Sequence, residues 1–203
     1  MIKNIVFDFG DVFINLDKEA TIRELSKLGV SLTQEMYTVY FDYERGLITT
    51  DEFINAFQKL YPGISKKNFV LAWNAILLDF PLHRMQFIKD LAASKKYRLF
   101  LLSNTNELHI SWIQNDWGLE LYNAFKNCFE RFYLSHEIYL RKPNKDIYEF
   151  VLTKNDLKAE ETIFIDDTNE NTESAKKIGI KVWNIDPETE DVVDLPSQKE
   201  FNS

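Results

Sequence analysis

The chain has 203 residues, 45% of them hydrophobic, and a formal charge of −8 at pH 7. That length suits one domain with a sizeable insertion or two small domains, with apolar residues enough for a packed core. The negative charge, with no basic stripe interleaved with aromatics, argues against nucleic acid and anionic membrane as partners, so any anion site must be built locally.

The first residues, MIKNIVFDFG, reach acids too soon for a signal peptide, and no apolar run attains membrane length, so a cytoplasmic protein is expected. IKNIVF (2–7) reads as a buried strand that stops at Asp8, followed by Phe9, Gly10 and Asp11. About ninety residues then precede the next strand-like run, far more than a crossover needs. They read as four helices, over residues 18–29, 32–46, 49–61 and 65–77. TTDE (49–52) has the form of a capping box, and Gly29 and Gly46 stand where helices stop. A helical insertion at a strand's C-terminal end is well sited to cover a site there.

Strands recur as YRLFLLS (97–103), RFYLS (131–135), TIFID (162–166) and IKVWNI (180–185), separated by amphipathic patterns at 83–96, 145–155 and 171–179. Short runs that are apolar on both faces suit a parallel sheet covered by helices. The alternation predicts an α/β fold: a Rossmann-like parallel sheet core with an inserted helical cap after the first strand. The expected boundaries are a core over 1–15 and 80–190, a cap over 16–79 and a C-terminal tail over 191–203. From residue 186 the chain is polar, carries Pro187 and Pro196 and shows no period, so loop or disorder is expected. Cys128 is the only cysteine, which excludes an intramolecular disulfide and suits a small core residue.

In a parallel α/β sheet, functional groups gather at the C-terminal ends of the strands. Here those ends carry Asp8, then Ser103 and Asn104, then Asp166 and Asp167, while Lys142 stands in LRKPNKDIY before a helix start. The carboxylates suit a hard divalent cation such as Mg²⁺. Ser103 with nearby N–H groups suits one phosphate oxygen, and Lys142 another. Each group alone has a plainer explanation: a turn or cap for a strand-ending Asp, an N-cap for the Asp pair, a solvated loop for Lys-Pro. Their placement after successive strands is what sets the group apart.

VFDFGDV, LLSNTNELH, LRKPNKDIY and TIFIDDTNENTESAKKIGI resemble the four ordered motifs of the haloacid dehalogenase-like hydrolases, from residue 2 to about 185. SNTNELH, YLSHEIYLRKPNKDIYEFVL and FIDDTNEN are most similar to the bacterial glucose-1-phosphate phosphatase branch. The resemblance implies that Asp8 attacks phosphorus and forms an aspartyl phosphate. It implies Mg²⁺ held by Asp8, the Gly10 carbonyl and Asp167, with Asp166 beside them. Ser103 and Asn104 would bind the transferring phosphoryl group, and Lys142 would neutralise both it and Asp8. The partner implied is a small phosphorylated metabolite, such as glucose 1-phosphate.

One position departs from the family pattern. Most family phosphatases carry a second Asp two residues after the nucleophile as general acid and base, and here that position is Gly10. Three explanations compete: Asp11 takes the role, Asp17 or a cap group acts through water, or the leaving group needs little help. The third is the expectation, with Asp11 kept as a catalytic candidate beside Asp8 and Lys142, since an anomeric oxygen leaves more readily than a simple alcohol. Gly10 counts against a sugar phosphomutase, Asp166 and Asp167 against a metal-free haloacid dehalogenase, and Asp8 against a non-catalytic phosphometabolite-binding protein. In the cap, Arg45 and Trp73 are candidates for a sugar pocket, against the plainer reading of a surface residue and a core ring. His83, His109 and His136 have no ligand spacing and are assigned no chemistry.

Overall fold

The computed structural model describes residues 1–202. Five strands form one parallel sheet: β1 (Asn4–Phe7), β2 (Arg98–Ser103), β3 (Arg131–Leu134), β4 (Thr162–Asp166) and β5 (Lys181–Asn184), in the order β3-β2-β1-β4-β5. Phe7 lies opposite Leu101 on one side and Ile165 on the other. The chemistry-bearing ends of β1, β2 and β4 therefore arrive at the same rim.

Between β1 and β2 the chain builds α1 (Ala20–Lys27), α2 (Gln34–Glu44), α3 (Thr50–Leu60) and α4 (Lys66–Asn74), then α5 (Leu82–Ser94). The first four enclose a core of their own, with Leu25, Met36, Tyr43, Phe53, Phe57, Phe69 and Trp73. Tyr43 stacks on Phe53 at 4.3 Å between centroids, and Phe57 on Phe69 at 3.8 Å. The capping box expected from TTDE is present, with Thr49 N donating to Glu52 at 2.8 Å. The two linkers to this layer run side by side. Asn15 N donates to Asp79 O at 2.9 Å, Leu78 N to Asn15 O at 3.0 Å and Asp17 N to Ile76 O at 2.9 Å.

The remaining helices are α6 (Glu107–Trp117), α7 (Leu119–Lys126), α8 (Ser135–Ile138), α9 (Lys145–Lys154), α10 (Asn169–Lys176) and α11 (Lys199–Asn202). Strand residues alternate between two cores, as the two-residue strand period requires. Ile5, Phe7, Leu101 and Ile165 pack with α5, α6 and α7, whereas Val6, Phe100, Leu102 and Phe164 pack with α9 and α10. The end of α2 docks on α8: the Ser135 hydroxyl donates to Glu44 O at 2.6 Å and accepts from Thr105 N at 2.9 Å. Gly46, at φ +69°, sits so close that a Cβ there would stand 2.0 Å from the His136 carbonyl oxygen.

The C-terminal tail corrects the sequence reading. Instead of loop or disorder it forms a 3-10 turn over Val192–Ser197 followed by α11, with Val192 and Leu195 fully buried in the sheet core. Asp191 fastens it, 3.0 Å from Arg84 Nε and 3.0 Å from His83 Nε2. Two apolar anchors three residues apart are enough for docking, and their polar neighbours mask them in composition. Ser203 lies outside the described residues. The helices α6 and α7 occupy a stretch that the sequence reading leaves unassigned. No helix among the described residues is long and apolar enough to cross a membrane.

Candidate active site

Asp8 N donates to Ile165 O at 2.8 Å, so the β1 ladder runs one residue past the strand. The Asp8 carboxyl then lies 2.7 Å from Lys142 Nζ, and Asp166 lies 2.6 Å from the same nitrogen. Both Lys142 and Asp166 are buried, at 1% and 0% exposure. Asp166 is fixed further by Thr168 N at 2.8 Å and Asn171 Nδ2 at 3.0 Å. Lys142 is fixed through its backbone: Asn104 Nδ2 donates to Lys142 O, and Lys142 N donates to Asn104 Oδ1, each at 2.9 Å. The Asn104 side chain thus positions Lys142, and Asn104 also lines the cavity beside Ser103. Ser103, buried at the end of β2, lines the same cavity as Asp8 and Lys142.

Burial pushes the Asp8 carboxyl up to about 7; Lys142 pulls it down, and the Asp166 and Asp167 charges add to the rise. Burial also works against the charge on Lys142, but Asp166 and Asp8 prevail and hold its pKa above the usual lysine value. The ammonium therefore stays charged where a phosphoryl group would arrive.

Asp8, Asp166 and Asp167 present carboxylate oxygens that all lie within 4.8 Å of one another. Hard oxygen donors at this spacing suit Mg²⁺. A second cation reaches the rim from the start of the helical layer: Lys18 Nζ bonds Asp167 and lies 3.0 Å from Asp11. Gly10 lines the cavity, and a Cβ there would stand 2.6 Å from Leu16 Cδ1. A side chain at position 10 would meet Leu16 before it met a substrate.

The two acids considered for proton transfer point elsewhere. Asp11 has φ +53°, and its carboxyl accepts from Leu16 N at 2.9 Å and pairs with Lys18. The left-handed turn carries it onto its own loop, and it is not among the residues that line the cavity. Asp17 pairs with Arg23 at 2.7 Å.

The cavity measures about 410 Å³, and its opposite wall brings in Tyr40, Phe41, Glu44 and Arg141. Neither Arg45 nor Trp73, the pocket candidates from sequence, lines it. Along α2, residues 40, 41 and 44 share a face, and one further residue rotates Arg45 away to pair with Asp42 at 2.7 Å. Trp73 packs on Phe53 at 4.7 Å and lines a separate apolar cavity of about 150 Å³, which shares Tyr40, Ile76 and His109 with the first.

The wall that sequence reasoning missed is held together closely. Tyr40 Oη donates to Glu44 Oε1 and Arg141 Nε to Glu44 Oε2, each at 2.6 Å. The Arg141 guanidinium lies 4.5 Å over the Phe41 ring. Two signals were available in the chain: the helical spacing of Tyr40 and Glu44, and the adjacency of Arg141 to Lys142. His109 also lines the cavity, and burial pushes its pKa down to about 4, which keeps the ring neutral.

A family model described as haloacid dehalogenase-like hydrolase matches residues 5–185. The D-ribitol-5-phosphate phosphatase of Bacteroides thetaiotaomicron is 27% identical over 190 residues, covering 90% of this chain and 91% of that protein. A haloacid dehalogenase family enzyme of Bacteroides thetaiotaomicron, in its magnesium complex, matches with TM-score 0.85 at 33% identity, over 97% of this chain and 99% of that one. The wild-type enzyme in complex with magnesium and inorganic phosphate matches with TM-score 0.80 at 32% identity, over 94% of this chain and 97% of that one.

Proposed function

The chain belongs to the haloacid dehalogenase-like hydrolases, and from that premise we propose that this phosphoric monoester hydrolase removes phosphate from a small sugar or polyol phosphate. The observation that carries the reading is the buried Lys142 ammonium between Asp8 and Asp166, at the end of β1 and open to a cavity of about 410 Å³.

Asp8 attacks phosphorus, the bond from phosphorus to the leaving oxygen breaks, and that oxygen takes a proton from water. A second water then cleaves the aspartyl phosphate, which returns Asp8 and releases inorganic phosphate. Lys142 offsets the repulsion between the Asp8 carboxylate and the incoming dianion. Ser103 donates to a phosphoryl oxygen, Asp166 holds Lys142 in place, and Asn104 holds its backbone. Magnesium, when bound by Asp8, the Gly10 carbonyl and Asp167 with Asp166 beside them, supplies positive charge to the phosphoryl oxygens. We assign Asp11 to bracing its loop, and residues 16–79 to a cap over the site.

The D-ribitol-5-phosphate phosphatase supports a polyol phosphate as substrate. Gly10 supports glucose 1-phosphate beside it, because an anomeric leaving oxygen needs less protonation than a primary alcohol. The test is phosphate release from ribitol 5-phosphate, glucose 1-phosphate, glucose 6-phosphate and 4-nitrophenyl phosphate, with Mg²⁺ or with excess chelator. Turnover that requires Mg²⁺ and is lost in Asp8→Asn is the expected result. Turnover that survives either treatment would overturn the mechanism. A folded protein that binds Mg²⁺ and turns over none of the four would point to a binding protein.

A further inference from the structure

The phosphatase chemistry uses one side of the cavity and leaves an ion pair on the other side without a role. Glu44 is 4% exposed, yet it lines the cavity together with Arg141, Tyr40 and Phe41. Its two oxygens each accept one hydrogen bond at 2.6 Å, from Tyr40 and from Arg141 Nε. A carboxylate has further lone pairs, so both oxygens keep the capacity to accept from a ligand. Arg141 spends only Nε on the protein. No group among the described residues accepts a hydrogen bond from its two Nη atoms, and the Phe41 ring lies 4.5 Å beneath the guanidinium carbon.

We infer that Glu44 and Arg141 form a hydroxyl-recognition site, which selects phosphate esters of neutral polyols and rejects esters that carry a second anionic group. The inference rests on the phosphatase reading and names the substrate class within it.

Charge decides between these two kinds of ligand. An unpaired arginine on a cavity wall would favour a carboxylate or a second phosphate. Here the carboxylate of Glu44 lies beside it and cancels its charge, so a second anion would meet repulsion together with attraction. A pair of neighbouring hydroxyls meets no such conflict: one donates to Glu44 and the other accepts from an Nη–H. The ends of the recognition wall are fixed to the catalytic side. Arg141 is bonded directly to Lys142, whose backbone Asn104 clamps, and the Glu44 carbonyl is held by Ser135. A hydroxylated chain esterified at one end can thus be gripped along its length while its phosphate faces Asp8.

The test measures kcat/KM for ribitol 5-phosphate, 3-phosphoglycerate and 4-nitrophenyl phosphate in the wild type, Glu44→Gln and Arg141→Lys. The wild type is expected to favour ribitol 5-phosphate over 3-phosphoglycerate by at least about tenfold, the scale of one charge-assisted hydrogen bond. Glu44→Gln keeps the shape but removes the negative charge. It should raise KM for ribitol 5-phosphate and improve 3-phosphoglycerate, so that their ratio shifts by about tenfold or more. Arg141→Lys keeps the charge but loses the fork, and should reduce ribitol 5-phosphate more than 4-nitrophenyl phosphate. Equal losses on all three substrates in both variants would mean a purely structural pair and sink this inference alone. A wild type inactive on 4-nitrophenyl phosphate as well as the other two would sink the phosphatase reading and this one with it.

Discussion

The two walls of the cavity have different origins. One wall is made of strand ends: Asp8 after β1, Ser103 ending β2 and Asp167 after β4, with Lys142 reaching in from the loop before α9 and Asp166 buried behind it. The other comes from a single helix face, Tyr40, Phe41 and Glu44 on α2, closed by Arg141. In the first wall, parallel register fixes which residues meet, because a residue past Phe7 must lie beside one past Ile165. In the second, the outcome depends on how one helix is rotated about its axis, and an error of one residue exchanges Glu44 for Arg45. Local order determines the chemistry, whereas tertiary packing determines what the chemistry is applied to.

The largest expected effect falls on the strand-end wall. Asp8→Asn should reduce phosphate release by at least about 10³-fold, since removing a nucleophile removes the covalent route. Circular dichroism would confirm that the fold is retained. If the variant kept even a tenth of the activity, this wall would not hold the nucleophile.

Next in size is the ion cluster beneath it. Lys142→Met leaves Asp8 and Asp166 buried around an uncharged side chain, and should cost about 3–5 kcal/mol in urea unfolding in the presence of chelator. A loss below about 1 kcal/mol would show that the carboxyls do not depend on the ammonium.

The helical wall is tested where it docks. Gly46→Ala places a Cβ 2.0 Å from a carbonyl oxygen at a left-handed φ, whereas Gly29→Ala, at φ +79°, meets nothing within 4 Å. Gly46→Ala should lose about 2–3 kcal/mol and raise KM, and Gly29→Ala about 1 kcal/mol with no change in KM. Equal losses would mean that backbone strain alone matters and that close docking adds nothing.

The smallest effect lies between the walls. Burial lowers the His109 pKa from 6.5 to about 4, and His136 shifts the same way. The unfolded chain therefore takes up its proton first as the pH falls. The stability from neutral His109 is complete above about pH 6.5 and declines toward pH 4. About 1–2 kcal/mol should disappear between pH 7 and pH 5, and His109→Gln should flatten that slope. An unchanged slope in the variant would place the titration on other groups.

The same contrast explains what the sequence revealed. The five apolar runs and the TTDE capping box are local patterns, and each appears where expected. The turn at Asp11 is a matter of one positive φ, invisible in composition, and it moves a carboxyl from the reaction centre to its own loop. Arg45 follows the helix that forms the wall but turns away to Asp42, and Trp73 lies on α4, which contributes no residue to the cavity. The tail reads as disordered in composition because its two buried anchors, Val192 and Leu195, are outnumbered by polar neighbours.

The paired linkers of the helical layer constrain how it can swing. Both chain crossings lie in one hydrogen-bonded ribbon around Asn15, Leu16, Leu77 and Asp79, so the layer hangs like a door on one hinge instead of a lid on two tethers. The latch is the docked end of α2, where Ser135 holds the Glu44 carbonyl. Any swing about that hinge would carry Tyr40, Phe41 and Glu44 together and part Glu44 from Arg141.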